Sequence, residues 1–248
     1  MPLINVRGIV LRTYNLGEKD RIIVLLTPQH GKLRAVAKGA RRPGNRFAAA
    51  ADALVEMDAG IYTGRGLHTL NQAVIITSHR SLRERLDYLA HGLFMAELID
   101  LFTVDAEVEP ATYDLLSRSL NMLEESTNPA LLLAWFECQL LLQMGLLPEA
   151  EACAHCGADQ HSLAALSLAK GEMLCAGCAA AGGSRLLRLS RETVALLRYL
   201  TQQATDGHLP AELNNTAEHG LARVLEQFIF YQLETTPRSY DFLKSMRP

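Results

Sequence analysis

The sequence predicts a small closed β-barrel at its N-terminus, followed by an all-helical domain that carries an inserted four-cysteine module. Three observations predict this: five short runs of β-branched and aliphatic residues in the first 79 positions, helical periodicity from Ser78 onward, and two tight cysteine pairs within the helical part. With 248 residues, 49% of them hydrophobic, the chain has apolar area for more than one core.

The five strands are expected at residues 6–14, 21–27, 32–38, 54–62 and 67–76. Asn15 to Lys19 supplies the first turn, Pro28-Gln29-His30-Gly31 the second and Gly64-Arg65-Gly66 the last, and the longest connection is a basic loop from Gly39 to Ala51. Five short antiparallel strands with the longest connection after the third fit an oligonucleotide-binding (OB) barrel. A β-sandwich or an SH3-like barrel fits the strand count almost as well.

From Ser78 the period changes from two to 3.6. Ser81-Leu82-Arg83-Glu84 reads as a capping box opening a helix whose buried stripe is Leu82, Leu86, Leu89, Leu93 and Ala96. Pro110 suits the first turn of a second helix ending near Ser126, and Asn128-Pro129 caps a third that Gly145 and Pro148 stop. Ala130 to Leu147 is the most apolar stretch, but Glu137, Gln139 and Gln143 within it favour a buried helix over a membrane span. Ser190 caps a helix running to about Gln203, and Asn215-Thr216-Ala217-Glu218 is a capping box for one running to about Glu234. The expected domains are a barrel at 1–79 and a helical domain at 80–248, with the cysteine module inserted at about 149–186.

The net charge of −3 conceals an asymmetry. Residues 1–80 hold 12 of the 24 basic residues but only 5 of the 27 acidic ones, and the remainder is acidic, 12 against 22. Such a split points to phosphate-seeking charge at one end. Six of those cations, Lys32, Arg34, Lys38, Arg41, Arg42 and Arg46, stand together without an Asp or Glu among them. Strand alternation puts Lys32, Arg34 and Lys38 on the outer face while Leu33, Ala35 and Ala37 point into the barrel. Arg41, Arg42 and Arg46 follow in a flexible loop where Gly39, Pro43 and Gly44 let backbone approach phosphates. This is a candidate DNA-binding track, electrostatic and weakly sequence-selective. Tyr14, Phe47 and Tyr62 are the rings available for stacking, each equally suited to the barrel core. Asp52, Glu56 and Asp58 read as a solvated face.

Cys153, Cys156, Cys175 and Cys178 follow the pattern C-x2-C-x18-C-x2-C, in which two knuckles complete tetrahedral coordination of one Zn²⁺. Four thiolates leave no open position, so the metal is structural, and His155 reads as a neighbour of the site. Cys138, the fifth cysteine, lies in the apolar helix and reads as a core residue. Paired cysteines in an odd total suit a reducing compartment, and the N-terminus does not read as a secretion signal, so a cytoplasmic location is expected. No phosphate loop, H-E-x-x-H or nucleophile elbow is present, which argues against an enzyme.

Gly8 to Thr13, Leu16 to Val24 and His30 to Arg42 resemble the opening of the bacterial RecO recombination mediators. Phe136-Glu137, Gly145 to Pro148, Cys153 to Gly157 and Gly171 to Cys178 are similar to that family's central and zinc segments, so the likeness covers nearly the whole chain. The resemblance implies an OB barrel, a helical domain and a zinc-finger insertion. It further implies a mediator that binds single- and double-stranded DNA and anneals complementary strands. Such a mediator works with RecR, and with RecF, to load RecA onto DNA coated by single-strand-binding protein, whose acidic C-terminal tail it engages. The alternative from composition is a non-catalytic adaptor whose barrel binds protein or structured RNA.

Overall fold

The computed structural model describes residues 2–181, 185–202 and 215–246. Its strands are β1 (Leu3–Leu16), β2 (Asp20–Thr27), β3 (Gly31–Ala37), β4 (Glu56–Tyr62), β5 (His68–Thr77), β6 (Leu163–Ser167), β7 (Glu172–Cys175) and β8 (Leu186–Arg188). The helices are α1 (Arg80–Arg83), α2 (Leu86–Phe102), α3 (Pro110–Glu125), α4 (Pro129–Gln143), α5 (Ala176–Ala181), α6 (Arg191–Gln202), α7 (Asn215–Leu233) and α8 (Ser239–Ser245). The chain forms two compact units, Met1–Ser126 with Pro237–Pro248, and Thr127–Thr236.

In the first unit, β1 to β5 close into a barrel of order β1-β2-β3-β5-β4, sealed by antiparallel pairing of β1 with β4. Pairing of β3 with β5 is parallel, Ala35 with His68 and Val36 with Thr69. This is the OB arrangement, which strand count alone could not separate from a sandwich. Long β1 serves two partners because a bulge between Val10 and Arg12 bends it from β4 toward β2. Val10, Ile23, Leu25, Ala35, Met57 and Ile61 are among the inward side chains that fill the interior.

The connection from β3 to β4 departs from the flexible loop expected of it. It is a succession of hydrogen-bonded turns, with Arg42 N donating to Gly39 O at 2.8 Å, Ala48 N to Asn45 O at 3.0 Å and Ala51 N to Phe47 O at 2.9 Å. Its Ala40, Phe47, Ala50 and Ala51 are buried in the barrel core. Its small apolar residues therefore close the barrel interior against water, while the basic residues between them face out.

The capping box at Ser81 does not form. Ser81 lies within the single turn of α1, whose N-cap is His79 in a left-handed conformation (φ 46°), and its hydroxyl donates to Glu124 instead. The chain breaks at Glu84–Arg85 before α2 begins, so the proposed stripe fails in part: Leu86 is exposed, whereas Ala90, Phe94, Met95, Leu98 and Ile99 are buried. Helix α2 packs against β1, α3 and α8, so it is buried on several sides and shows no single stripe. Glu97 of α2 receives the amides of Arg238 (3.0 Å) and Ser239 (2.7 Å), fastening the N-terminus of α8.

In the second unit α4, α6 and α7 pack together, and β6, flanked by β7 and β8, forms an antiparallel sheet. Asn128 caps α4 as expected, its side-chain oxygen accepting from Leu131 N at 3.0 Å, and Ser190 does the same for Thr193 N at 3.2 Å. Every residue of α4 from Leu131 to Leu141 is buried; Gln139 donates to Leu200 O at 2.9 Å, and burial pushes the Cys138 thiol up. Among the described residues no helix is long and apolar enough to cross a membrane. Gln203, residues 182–184 of the predicted insertion and the Asn215 side chain lie outside the described residues.

Candidate nucleic-acid interface and metal centre

The outer face of β1, β2 and β3 is a ladder of rows set by strand register. Leu26 and Lys32 share one row, Arg12, Val24 and Arg34 the next, and Tyr14, Ile22 and Val36 the third. Leu16 and Asp20 continue the ladder toward Lys38. Helix α2 and the segment after it cover the first rows. Gly31 has φ +62°, and a Cβ there would meet Glu107 O at 2.0 Å, so only glycine admits the α2–α3 segment so closely. Ala106 N then donates to Lys32 O at 3.1 Å, extending the pairing of β3.

Lys32 is consequently sealed rather than displayed. It is 5% exposed, and its ammonium donates to the carbonyls of Asp100 (2.6 Å) and Thr103 (2.9 Å) while pairing with the Asp100 carboxylate at 2.9 Å. Arg12 approaches the other Asp100 oxygen at 2.6 Å. Arg34, at the boundary, is exposed but pairs with Asp105 at 3.1 Å. Alternation put Lys32 and Arg34 on the outer face correctly, and Lys38, one residue past β3, is exposed; alternation could not show that a helix covers part of that face.

The rest of the cations are exposed. Among the described residues no carboxylate pairs with Lys38 or Arg42. Arg41 donates to Gly17 O at 2.6 Å, and Arg46 to Asn71 O at 2.9 Å with its guanidinium 4.6 Å from the Phe47 ring centroid. Carbonyl acceptors orient these guanidinium groups without neutralising them. The Arg41 amide also bonds Lys19 O at 3.0 Å, and Gly39 N bonds the Asp20 carboxylate at 2.7 Å, so the β1–β2 turn is stitched to the basic segment. Lys19 therefore joins the set; on sequence alone it was one exposed turn residue.

Of the three rings, Phe47 is buried in the core, whereas Tyr14 and Tyr62 are 39% and 38% exposed. The expected solvated carboxylates also divide. Asp52 and Asp58 pair with Arg21 (2.7 Å) and Arg7 (3.0 Å), but Glu56 is buried and accepts from the Tyr113 hydroxyl at 2.7 Å. Burial, reinforced by this bond, pushes the Tyr113 phenol up.

In the second unit the four cysteines converge. Cys153 and Cys156 flank a tight turn in which Gly157 N donates to Cys153 O at 2.9 Å; Cys175 ends β7 and Cys178 lies in α5. All four sulfurs lie within 4.8 Å of one another. Burial opposes ionisation of Cys153, but donation from the Cys175, Cys156 and His155 amides outweighs it and brings the pKa down to about 6, while the neighbouring sulfurs push Cys178 up to about 12. Four sulfurs this close could hold one metal ion between them. The donor set fits a metal, with His155 outside it, 3.5 Å from Glu172.

The family description Recombination protein O N terminal matches residues 1–79, and Recombination protein O C terminal matches residues 83–241. The chain belongs to the RecO family. The DNA repair protein RecO of Symbiobacterium thermophilum is 36% identical over 252 residues, spanning 100% of this chain and 99% of that protein. That of Moorella thermoacetica is 30% identical, covering 99% of this chain and 92% of its own, and that of Bacillus pumilus 38% identical, covering 62% and 60%. In this RecO-family chain the N-terminal match coincides with the barrel, and the C-terminal match contains all four clustered cysteines.

Proposed function

We propose that the protein is a cytoplasmic DNA repair factor, a recombination mediator that binds single- and double-stranded DNA and anneals complementary strands. It acts with RecR, and with RecF, to help load RecA onto DNA coated by single-strand-binding protein, whose C-terminal tail it engages. The observation that carries this reading is the group of cations without carboxylate partners among the described residues, Lys38, Arg41, Arg42 and Arg46, beside the open half of an OB barrel's β2–β3 face, where OB folds take oligonucleotides. Arg34 and Lys19 flank it; Lys32 serves the fold. Cys153, Cys156, Cys175 and Cys178 hold structural Zn²⁺, which fixes a module poor in large apolar side chains. Barrel (1–79) and helical part (80–248, with its insertion at about 149–186) divide the work between DNA and protein partners.

Annealing then needs no bond-making. Cations displace condensed counterions, lower the repulsion between two strands and raise their local concentration. Changing Lys38, Arg41 and Arg42 together to alanine should weaken binding to every DNA sequence, slow annealing and reduce the salt slope by about two to three units. Salt-dependent titration of single- and double-stranded oligonucleotides checks it. Unchanged affinity in the triple variant would remove the barrel from the DNA site.

A further inference from the structure

We infer that the open half of the β1–β2–β3 face is a seat for unpaired nucleobases, with the Tyr14 ring as its stacking surface. The inference rests on the DNA-binding reading and sharpens it, naming single strands as what this face prefers.

Phosphates require only cations, and the basic segment supplies them. The adjoining rows hold something phosphates cannot use: Tyr14 and Leu16, each 39% exposed, beside half-buried Ile22 and Val36. An apolar and aromatic strip bordered by Lys38 and Arg41, with the intervening Asp20 carboxylate engaged by Gly39 N at 2.7 Å, is complementary to a strand that presents a charged backbone along one side and flat bases along the other. A duplex turns its bases inward and would leave the strip uncovered.

The ring is also held ready. Asp100 of α2 is a carboxylate whose side chain is 1% exposed, and it fixes both Lys32 and Arg12. Arg12 so anchored places its guanidinium 4.9 Å from the Tyr14 ring centroid. A guanidinium held there orients the ring before any ligand arrives, reducing the ordering cost of binding. Tyr62, nearly as exposed, stands opposite Leu3 on β4, outside this face, and serves as the control ring.

The test compares oligo(dT) with an abasic oligomer of the same length and charge, using the full chain. Wild type should prefer oligo(dT) by about fivefold or more, the lower end of one stacked base. Tyr14→Ala should reduce that preference toward unity with its salt slope retained; Tyr14→Phe and Tyr62→Ala should keep it. Tyr14→Trp should report oligo(dT), and not the abasic oligomer, by fluorescence quenching. If wild type shows no preference, or Tyr14→Ala keeps it, the nucleobase seat is refuted while DNA binding stands. If neither oligomer nor duplex binds, the DNA reading itself has failed.

Discussion

Lys32, in β3, and Lys38, one residue past its end, have opposite fates. Lys32 is covered by α2 and the segment after it, and its ammonium is spent on Asp100 and two carbonyls. Lys38 is exposed, at the edge of the uncovered half. A charge that has met its counter-charge inside the protein holds the fold, whereas one left without a carboxylate is available to a polyanion. The four cysteines extend the contrast: Asp100 draws its cations from the chain, whereas a metal held by the clustered sulfurs would come from solution.

The largest expected effect tests that extension. Removing the metal with a chelator, or replacing Cys175 by Ser, should release hydrogen-exchange protection across β6, β7 and β8, since structural zinc binding contributes roughly 10 kcal/mol to folding of such modules. Unaltered protection would show that the cysteines hold no structural metal. Next, Lys32→Ala leaves Asp100 buried with Arg12 as its remaining ion-pair partner and should cost about 3 kcal/mol by denaturant titration. Arg7→Ala, which breaks the exposed Arg7–Asp58 pair, should cost less than about 1 kcal/mol. Equal costs would undo the distinction between covered and open charges.

The smallest effect concerns pH. His79 is buried, and burial lowers its pKa below the ordinary 6.5 despite Glu124 at 3.3 Å. The unfolded chain therefore binds this proton at higher pH than the folded one, so stability falls as pH drops from about 6.5 through the folded value. His79→Gln should flatten that decline in urea midpoints measured across the range; an unchanged slope would assign it to other groups.

Much of this was legible in advance because its causes are local. Strand alternation and turn residues placed all five barrel strands, Asn128 and Ser190 capped the helices assigned to them, and cysteine spacing picked out the four sulfurs that converge. Where expectation failed, a distant segment had intervened. Ser81 bonds Glu124 instead of capping its own helix, Phe47 plugs the barrel, Glu56 is buried under Tyr113, and α8 returns to α2.

The sequence by itself determined that a five-stranded barrel precedes helices, that its cations cluster, and that four thiols are spaced for one ion. Tertiary structure alone decided which of those cations face water and which face Asp100, and that Tyr14 stays in the open while Phe47 does not. The physical reason is that periodicity records which side of a strand a residue occupies, whereas solvent exclusion depends on what the rest of the chain lays over that side.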